Sequence, residues 1–305
     1  MDKGSSPKHQ LLIEGKLTCG YREYAKHGGA IVYMTKQHSL KEPWEFCFPN
    51  GKGLKEWLKK YPDAVVWALK NDGGKNPLLK SISNFKVYYS CNCHNMYNKY
   101  CDVSFVDTPA RIKNNDKCKL FFKGKDPDFW KPKENAKRQY DYVLLSKRDD
   151  KNQSFFIQEL TNNVKEKRKI LWLGGRAFRK KVKTHHDVEY TPVLSQVEIR
   201  DRLSDVKLGI LYTEHTFEGF PQAYLEMTMC GIPVLYPSAS IAPKNDYYFF
   251  EENSHLVRRK SRLWSDAEKC LRKYELGKTD VLCRNKSAEE YNITKSINNI
   301  ISMKK

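Results

Sequence analysis

Short apolar runs separated by polar, helix-like stretches constrain this chain more than any other feature. In the first half they are "LLIEG" (11–15), "AIVYMT" (30–35), "DAVVWAL" (63–69), "FKVYYS" (85–90) and "DVSFVD" (102–107). In the second they are "YDYVLLS" (140–146), "KILWLGG" (169–175), "KLGILYT" (207–213) and "IPVLYP" (232–237). A run of this length, apolar on consecutive residues, suits a strand buried on both faces, and the stretches between are long enough for crossover helices. The pattern predicts an α/β fold with parallel sheets. Helices are expected over 152–165, 195–204, 222–229, 264–274 and 287–302, the second opened by a capping box in which Ser195 is followed by Glu198.

The alternation lapses in "KGKDPDFWKPKENAKRQ" (123–139), which is rich in proline and charge. The expected division is therefore an N-terminal Rossmann-like domain over 1–125, a linker over 126–139 and a C-terminal domain over 140–305, its last helix a candidate to cross back to the first domain. Two Rossmann-like domains with parallel sheets facing a central cleft would present a ligand to the carboxyl ends of their strands. At 305 residues, 40% hydrophobic and 12% aromatic, the chain has enough apolar surface for two cores.

No run of eighteen apolar residues occurs, and no apolar stretch follows the polar residues 1–8, so a cytoplasmic protein is expected. Nine cysteines, an odd number and scattered, suit a reducing compartment better than a disulfide framework. A net charge of +19 favours anionic partners: nucleotides, a phospholipid surface or nucleic acid. Peripheral contact with an anionic membrane would fall to basic turns such as "WKPK" and "RRKSRLW". A nucleic-acid partner is disfavoured, because no base-reading or aromatic-stacking motif accompanies the charge.

The stretch "EGFPQAYLEMTMCGIPVLYP" (218–237) carries most of the chemistry. It places Pro221 at the first turn of a helix, where its missing N–H costs nothing, and puts Gly219 where backbone can approach a ligand closely. The amides around Phe220, Gln222 and Ala223, with the positive end of the helix dipole, form an anion site suited to a diphosphate. Glu218 and Glu226 bracket that site with acceptor-only groups, as a sugar nucleotide's hydroxyls require, although the spacing alone better describes one Glu at a helix start and one on a surface. The "SKRDDKN" loop adds Lys147, Arg148 and Lys151. Taken alone it is a solvated turn; beside a diphosphate leaving group its cations would stabilise developing charge.

Cys91, Cys93, His94 and Cys101 invite a zinc reading, but the first pair lacks the C-x2-C spacing and three ligands within four positions strain a tetrahedral site, so buried cysteines are expected and no metal. The glycine-rich "KHGGAI" and "GGKNPLL" fit neither G-x-G-x-x-G nor the P-loop pattern.

The segment "SQVEIRDRLSDVKLGILYTEHTFEGFPQAYLEMTMCGIPVL" (195–235) resembles the nucleotide-sugar-binding region of family 4 retaining glycosyltransferases of the GT-B fold. E-G-F-P, the second Glu of an E-x7-E pattern and a following C/S-G-x-P-V stand here in the family's order and register. The similarity extends to "YDYVLLSKRDDKN" and "KILWLGG", and more loosely to "CHNMYNKYCDVSFVDTPARI" (93–112). The resemblance implies that Glu218 contacts the donor sugar, that Gly219 and Phe220 face sugar and phosphate with Pro221 and Gln222 completing the helix start, and that Glu226 binds the ribose. It matches Lys151 to the family's lysine, leaves Lys147 and Arg148 competing for its arginine, sets Gly174 and Val193 around the base, and gives His94 a positioning role near the reacting carbon.

The implied activity is transfer of a hexose, of glucose or mannose type, from a UDP- or GDP-sugar to a hydroxyl of a glycan, lipid-linked or protein-linked acceptor. Retention at the anomeric carbon, no metal ion and no permanently bound cofactor follow from the same resemblance. The N-terminal half is short for the fold. Three rival readings stand: a basic nucleic-acid-binding or DNA-glycosylating protein, a noncatalytic sugar-nucleotide scaffold, and a sugar-nucleotide epimerase.

Overall fold

The computed structural model describes residues 31–34, 59, 62, 65–69, 78–90, 99–106, 116–122, 124–145, 153–174, 182–192, 194–212, 221–237, 254–257, 262–275, 280–292, 295–296, 299 and 302–303. The chain divides into two compact units, one of residues 1–125 with 291–305, the other of residues 126–290.

The first unit holds β1 (Ile31–Met34), β2 (Val65–Leu69), the short α1 (Leu78–Ser81), β3 (Lys86–Ser90), β4 (Val103–Val106) and β5 (Cys118–Leu120). They form a parallel sheet in the order β1-β2-β3-β4-β5. Val66, Val87 and Phe105 are fully buried, and Phe105 stacks on Phe121 with ring centroids 4.3 Å apart. Before β3 the Lys86 ammonium donates to the carbonyls of Asn84 (2.8 Å) and Ile82 (3.3 Å). The unit closes on itself late in the chain. Lys125 pairs in parallel with Asn292, its amide donating to the Tyr291 carbonyl at 2.9 Å, and Phe122 meets the Tyr291 ring edge-on. Gly124 is needed there, because a β-carbon on it would stand 2.5 Å from the Tyr291 carbonyl oxygen.

The second unit runs β6 (Tyr140–Leu145), α2 (Gln153–Asn163), β7 (Lys169–Leu173), β8 (Asp187–Tyr190), α3 (Gln196–Leu203), β9 (Val206–Ile210), α4 (Gln222–Met229), β10 (Val234–Pro237), β11 (Ser254–Val257), α5 (Leu263–Glu275) and α6 (Asp280–Glu290). The sheet is parallel throughout, in the order β11-β10-β9-β6-β7-β8. β6 and β7 are buried on both faces, which is why they read as continuous apolar runs. Their Tyr142, Leu144, Ile170 and Trp172 pack against Phe156 and Leu160 of α2 and Leu271 of α5. The edge strand β8 alternates exposed and half-buried residues. From β6 the chain steps outward to β7 and β8, then returns to lay β9 on the other side of β6, so the strand order reverses between β6 and β9.

Local chemistry fixes the helix ends. Ser195 caps α3 by accepting from the Glu198 amide at 3.3 Å while the Glu198 carboxylate accepts from the Ser195 amide at 2.7 Å, the capping box expected. Helix α6 ends at Glu290 before Asn292 enters the bridge with Lys125, and within the stretch 287–302 expected for the last helix residues 295–296, 299 and 302 are again helical.

The proline- and charge-rich residues 126–139 are tied to the amino edge of the second sheet. Trp130 is fully buried, the Lys133 amide donates to the Ser204 hydroxyl (3.0 Å), and the Arg138 guanidinium donates to the Val206 (2.5 Å) and Gly231 (3.3 Å) carbonyls. At the same edge Glu268 accepts from Arg168 through both oxygens and from the Tyr142 hydroxyl at 2.7 Å. His186, 6% exposed, accepts the Arg168 amide on Nδ1 at 3.2 Å and lies against His185.

Candidate functional site

In a parallel α/β sheet the crevice beyond the carboxyl ends of the strands, where strand order reverses, is the place ligands bind. Here that is the β6–β9 junction, and the helices that follow those two strands, α2 and α4, begin there. Pro221 is the N-cap of α4, with φ −70° and ψ 131°, and its own side chain makes no capping hydrogen bond. The first N–H groups of an α-helix have no acceptor within it, and the dipole adds positive potential, so this end suits an anion. Along α4, Tyr224, Leu225, Met227, Thr228 and Met229 are buried while Gln222, Ala223 and Glu226 are half-buried. Glu226 thus stands about one turn from the helix start, on its accessible side.

The Cys230-Gly231-Ile232-Pro233 part of the motif has a structural role. Gly231, at φ 74°, ends α4 with its amide on the Thr228 carbonyl (2.9 Å) and the Ile232 amide on the Met227 carbonyl (3.0 Å), a Schellman closure that only glycine adopts without strain. Pro233 then turns the chain into β10, its carbonyl accepting from the Gly209 amide at 2.9 Å. Gly209 in turn lets Met227 press on β9, since a β-carbon there would collide with the Met227 sulfur. Cys230 is fully buried, and burial, with the Glu226 charge second, pushes its thiol far above the usual range, so it is no nucleophile.

Along the same carboxyl edge, Gly174 follows β7 at φ 87°, and its amide donates to the Thr191 hydroxyl at 3.1 Å. Thr191, just past β8, donates its own amide to the Trp172 carbonyl (3.0 Å). Between β6 and β9, Gln153 opens α2 with its side chain buried at 3% exposure and its Nε2 donating to the Tyr212 carbonyl at 3.4 Å. Tyr212 stacks on Phe155 of the same helix.

Of the residues expected from sequence, Gly174, Pro221, Gln222 and Glu226 are thus set along one edge, after strands β7 and β9. Glu218, Gly219, Phe220, Lys147, Arg148, Lys151, Val193 and His94 lie outside the described residues, as do Cys91 and Cys93. Cys101 is buried and its thiol is pushed up to about 12 by burial. Among the described residues no group of three or more His, Cys, Asp or Glu is arranged to hold a metal ion. None of their helices is long and apolar enough to cross a membrane. Sequence reasoning set the base against the backbone near Gly174 and 190–195 without singling out the Thr191 hydroxyl, and missed Gln153, which stands two positions past Lys151 of the basic loop, the available signal.

No protein-family model and no curated protein sequence matches the chain. Solved structures do. Sucrose-phosphate synthase of Thermosynechococcus elongatus superimposes with a TM-score of 0.64 at 12% identity, over 84% of this chain and 77% of that one. HepE of Anabaena, in complex with UDP-glucose, gives 0.62 at 14% identity, over 84% and 81%. A glycosyltransferase of Rickettsia africae gives 0.64 at 14% identity, over 84% and 80%. The chain has the GT-B fold of these glycosyltransferases.

Proposed function

We propose that this chain is a glycosyltransferase of the family 4 type, moving a hexose of glucose or mannose type from a nucleoside-diphosphate sugar to an acceptor hydroxyl with retention and without a metal ion. The observation that carries this reading is the start of α4: a proline-capped helix end at the β6–β9 reversal, with Glu226 one turn along it. HepE, which shares the fold, holds UDP-glucose.

In this reading the α4 amides, together with Gly219 and Phe220, take the diphosphate, and Glu226 accepts from the ribose hydroxyls. The Gly174–Thr191 latch and Val193 frame the base. Glu218 accepts from the donor sugar, and His94 keeps its positioning role. Lys151, with Lys147 or Arg148, neutralises the leaving diphosphate, supplying the preorganised positive charge that a metal supplies elsewhere. As the bond from anomeric carbon to phosphate oxygen breaks, the acceptor oxygen attacks from the same face. The acceptor's proton passes to the departing phosphate oxygen, so no side-chain nucleophile is needed. Glycan, lipid-linked and protein-linked hydroxyls all suit this chemistry, and the basic surface would favour an acceptor held at an anionic membrane.

The test is a thermal-shift panel of UDP-, GDP- and ADP-sugars on wild type and Glu226→Ala, followed by donor hydrolysis with and without EDTA. A ligand that binds only the folded state raises its melting temperature. One donor class should stabilise the wild type, lose its effect in the variant, and be hydrolysed regardless of EDTA. No stabilisation by any donor would overturn the reading, and activity lost in EDTA but restored by a divalent ion would remove its metal-free part.

A further inference from the structure

Gln153 presents an unusual chemical situation. It is 3% exposed, at the first position of α2, where the strand order reverses. Its Nε2 donates to the Tyr212 carbonyl, while its Oε1 has no hydrogen-bond partner among the described residues. The orientation of the amide is dictated by that contact: a backbone carbonyl can only accept, so nitrogen must face Tyr212 and oxygen must face away. A buried acceptor left unsatisfied is destabilising. Such a group calls for a partner that the described residues do not supply.

We infer that Gln153 is a specificity-determining residue of the donor site, its side-chain oxygen accepting a hydrogen bond from a hydroxyl group of the nucleotide sugar. The inference rests on the donor reading above and deepens it. The partner must be a donor, which rules out the diphosphate, since ionised phosphate oxygens only accept. The groups of a nucleoside-diphosphate hexose that can donate in number are its hydroxyls, on the sugar or on the ribose. Glu218 and Glu226, both acceptors, are proposed for the same hydroxyl-rich ligand; Gln153 adds a third acceptor, from the opposite side of the reversal point, and a neutral one.

Isothermal titration of UDP and UDP-glucose, and of the GDP and ADP pairs, into wild type, Gln153→Met and Gln153→Glu separates the possibilities. Met preserves volume and removes the oxygen. Glu, kept protonated by burial, donates its O–H to the Tyr212 carbonyl and still presents an oxygen to the ligand. For the pair that binds wild type, Gln153→Met is expected to weaken the sugar nucleotide about tenfold or more while remaining folded, and Gln153→Glu to restore binding. A loss confined to the nucleotide sugar assigns the bond to a hexose hydroxyl; an equal loss for the free nucleotide assigns it to the nucleoside and overturns the hexose assignment. If Gln153→Met binds both ligands as wild type does, the inference is wrong while the donor site stands. If no pair binds wild type, both fall.

Discussion

The Gly174 amide donates to the Thr191 hydroxyl, and that hydroxyl donates onward to the Trp172 carbonyl 3.3 Å away, so one side chain just past β8 latches the turn that follows β7. Thr191→Val keeps the shape and removes the latch, leaving a buried amide without an acceptor. Urea denaturation should show a loss of about 1–3 kcal/mol, with Thr191→Ser close to wild type. If this turn frames the base, the Val variant also binds the nucleotide less tightly, because Gly174 no longer has a fixed orientation.

Gly124→Ala sets a methyl group against the backbone of Tyr291 and Asn292, which cannot yield as a flexible side chain would. The contact between Lys125 and Tyr291 must open to admit it. The expected result is a destabilisation of about 1–3 kcal/mol and faster cleavage around residue 291 in limited proteolysis. A cleavage pattern identical to wild type would show that this pairing does not hold the segment in place.

Glu268 is the sole described acceptor for the Tyr142 hydroxyl and receives the Arg168 guanidinium through both oxygens, with the pair almost entirely buried. Glu268→Ala strands a charged guanidinium whose remaining carboxylate partner, Glu166, is largely exposed, and should cost about 3–5 kcal/mol. Tyr142→Phe leaves the ion pair intact and should cost about 1 kcal/mol. The contrast between the two, read by chemical denaturation, separates the charge from the hydroxyl.

Acidification should weaken the fold through His186. Burial lowers its affinity for a proton below the ordinary histidine value of 6.5, the His185 and Arg168 charges lower it further, and the Leu160 carbonyl and Glu268 oppose them. Protonation would also break the bond that Nδ1 accepts from the Arg168 amide. Because the unfolded chain binds the proton more readily, the stability held above 6.5 is lost as pH falls from there toward the lowered folded value, by at most about 1.4 kcal/mol per pH unit. Urea midpoints between pH 7.5 and 5.5 should drop in wild type and drop less in His186→Asn.

The elements that were legible from sequence are those whose signal is local. β6 and β7 announce themselves because both of their faces are buried, and the α3 capping box is written within four residues. β5, three residues with a lysine at the centre, and the edge strands β8 and β11 carry no continuous apolar run, so nothing marks them until neighbours supply the hydrogen bonds. The break at Tyr291 and Asn292 inside the expected last helix, 287–302, was not legible, because it depends on Asn292 meeting Lys125, a contact distant in sequence. The same division runs through the site. Pro221, Gln222 and Glu226 could be read from one motif, whereas Thr191 and Gln153 act through partners 17 and 59 residues away, which periodicity does not encode.

The first unit is assembled from two pieces, residues 1–125 and 291–305, with the whole second unit between them. On the ribosome this imposes an order. Residues 126–290 leave the exit tunnel as an uninterrupted stretch and can collapse into their six-stranded sheet as soon as α6 emerges. The five-stranded sheet, although made first, must wait with its apolar surface incompletely covered until Tyr291 and Asn292 arrive to meet Lys125. The half of the protein synthesised earliest is therefore the one completed last.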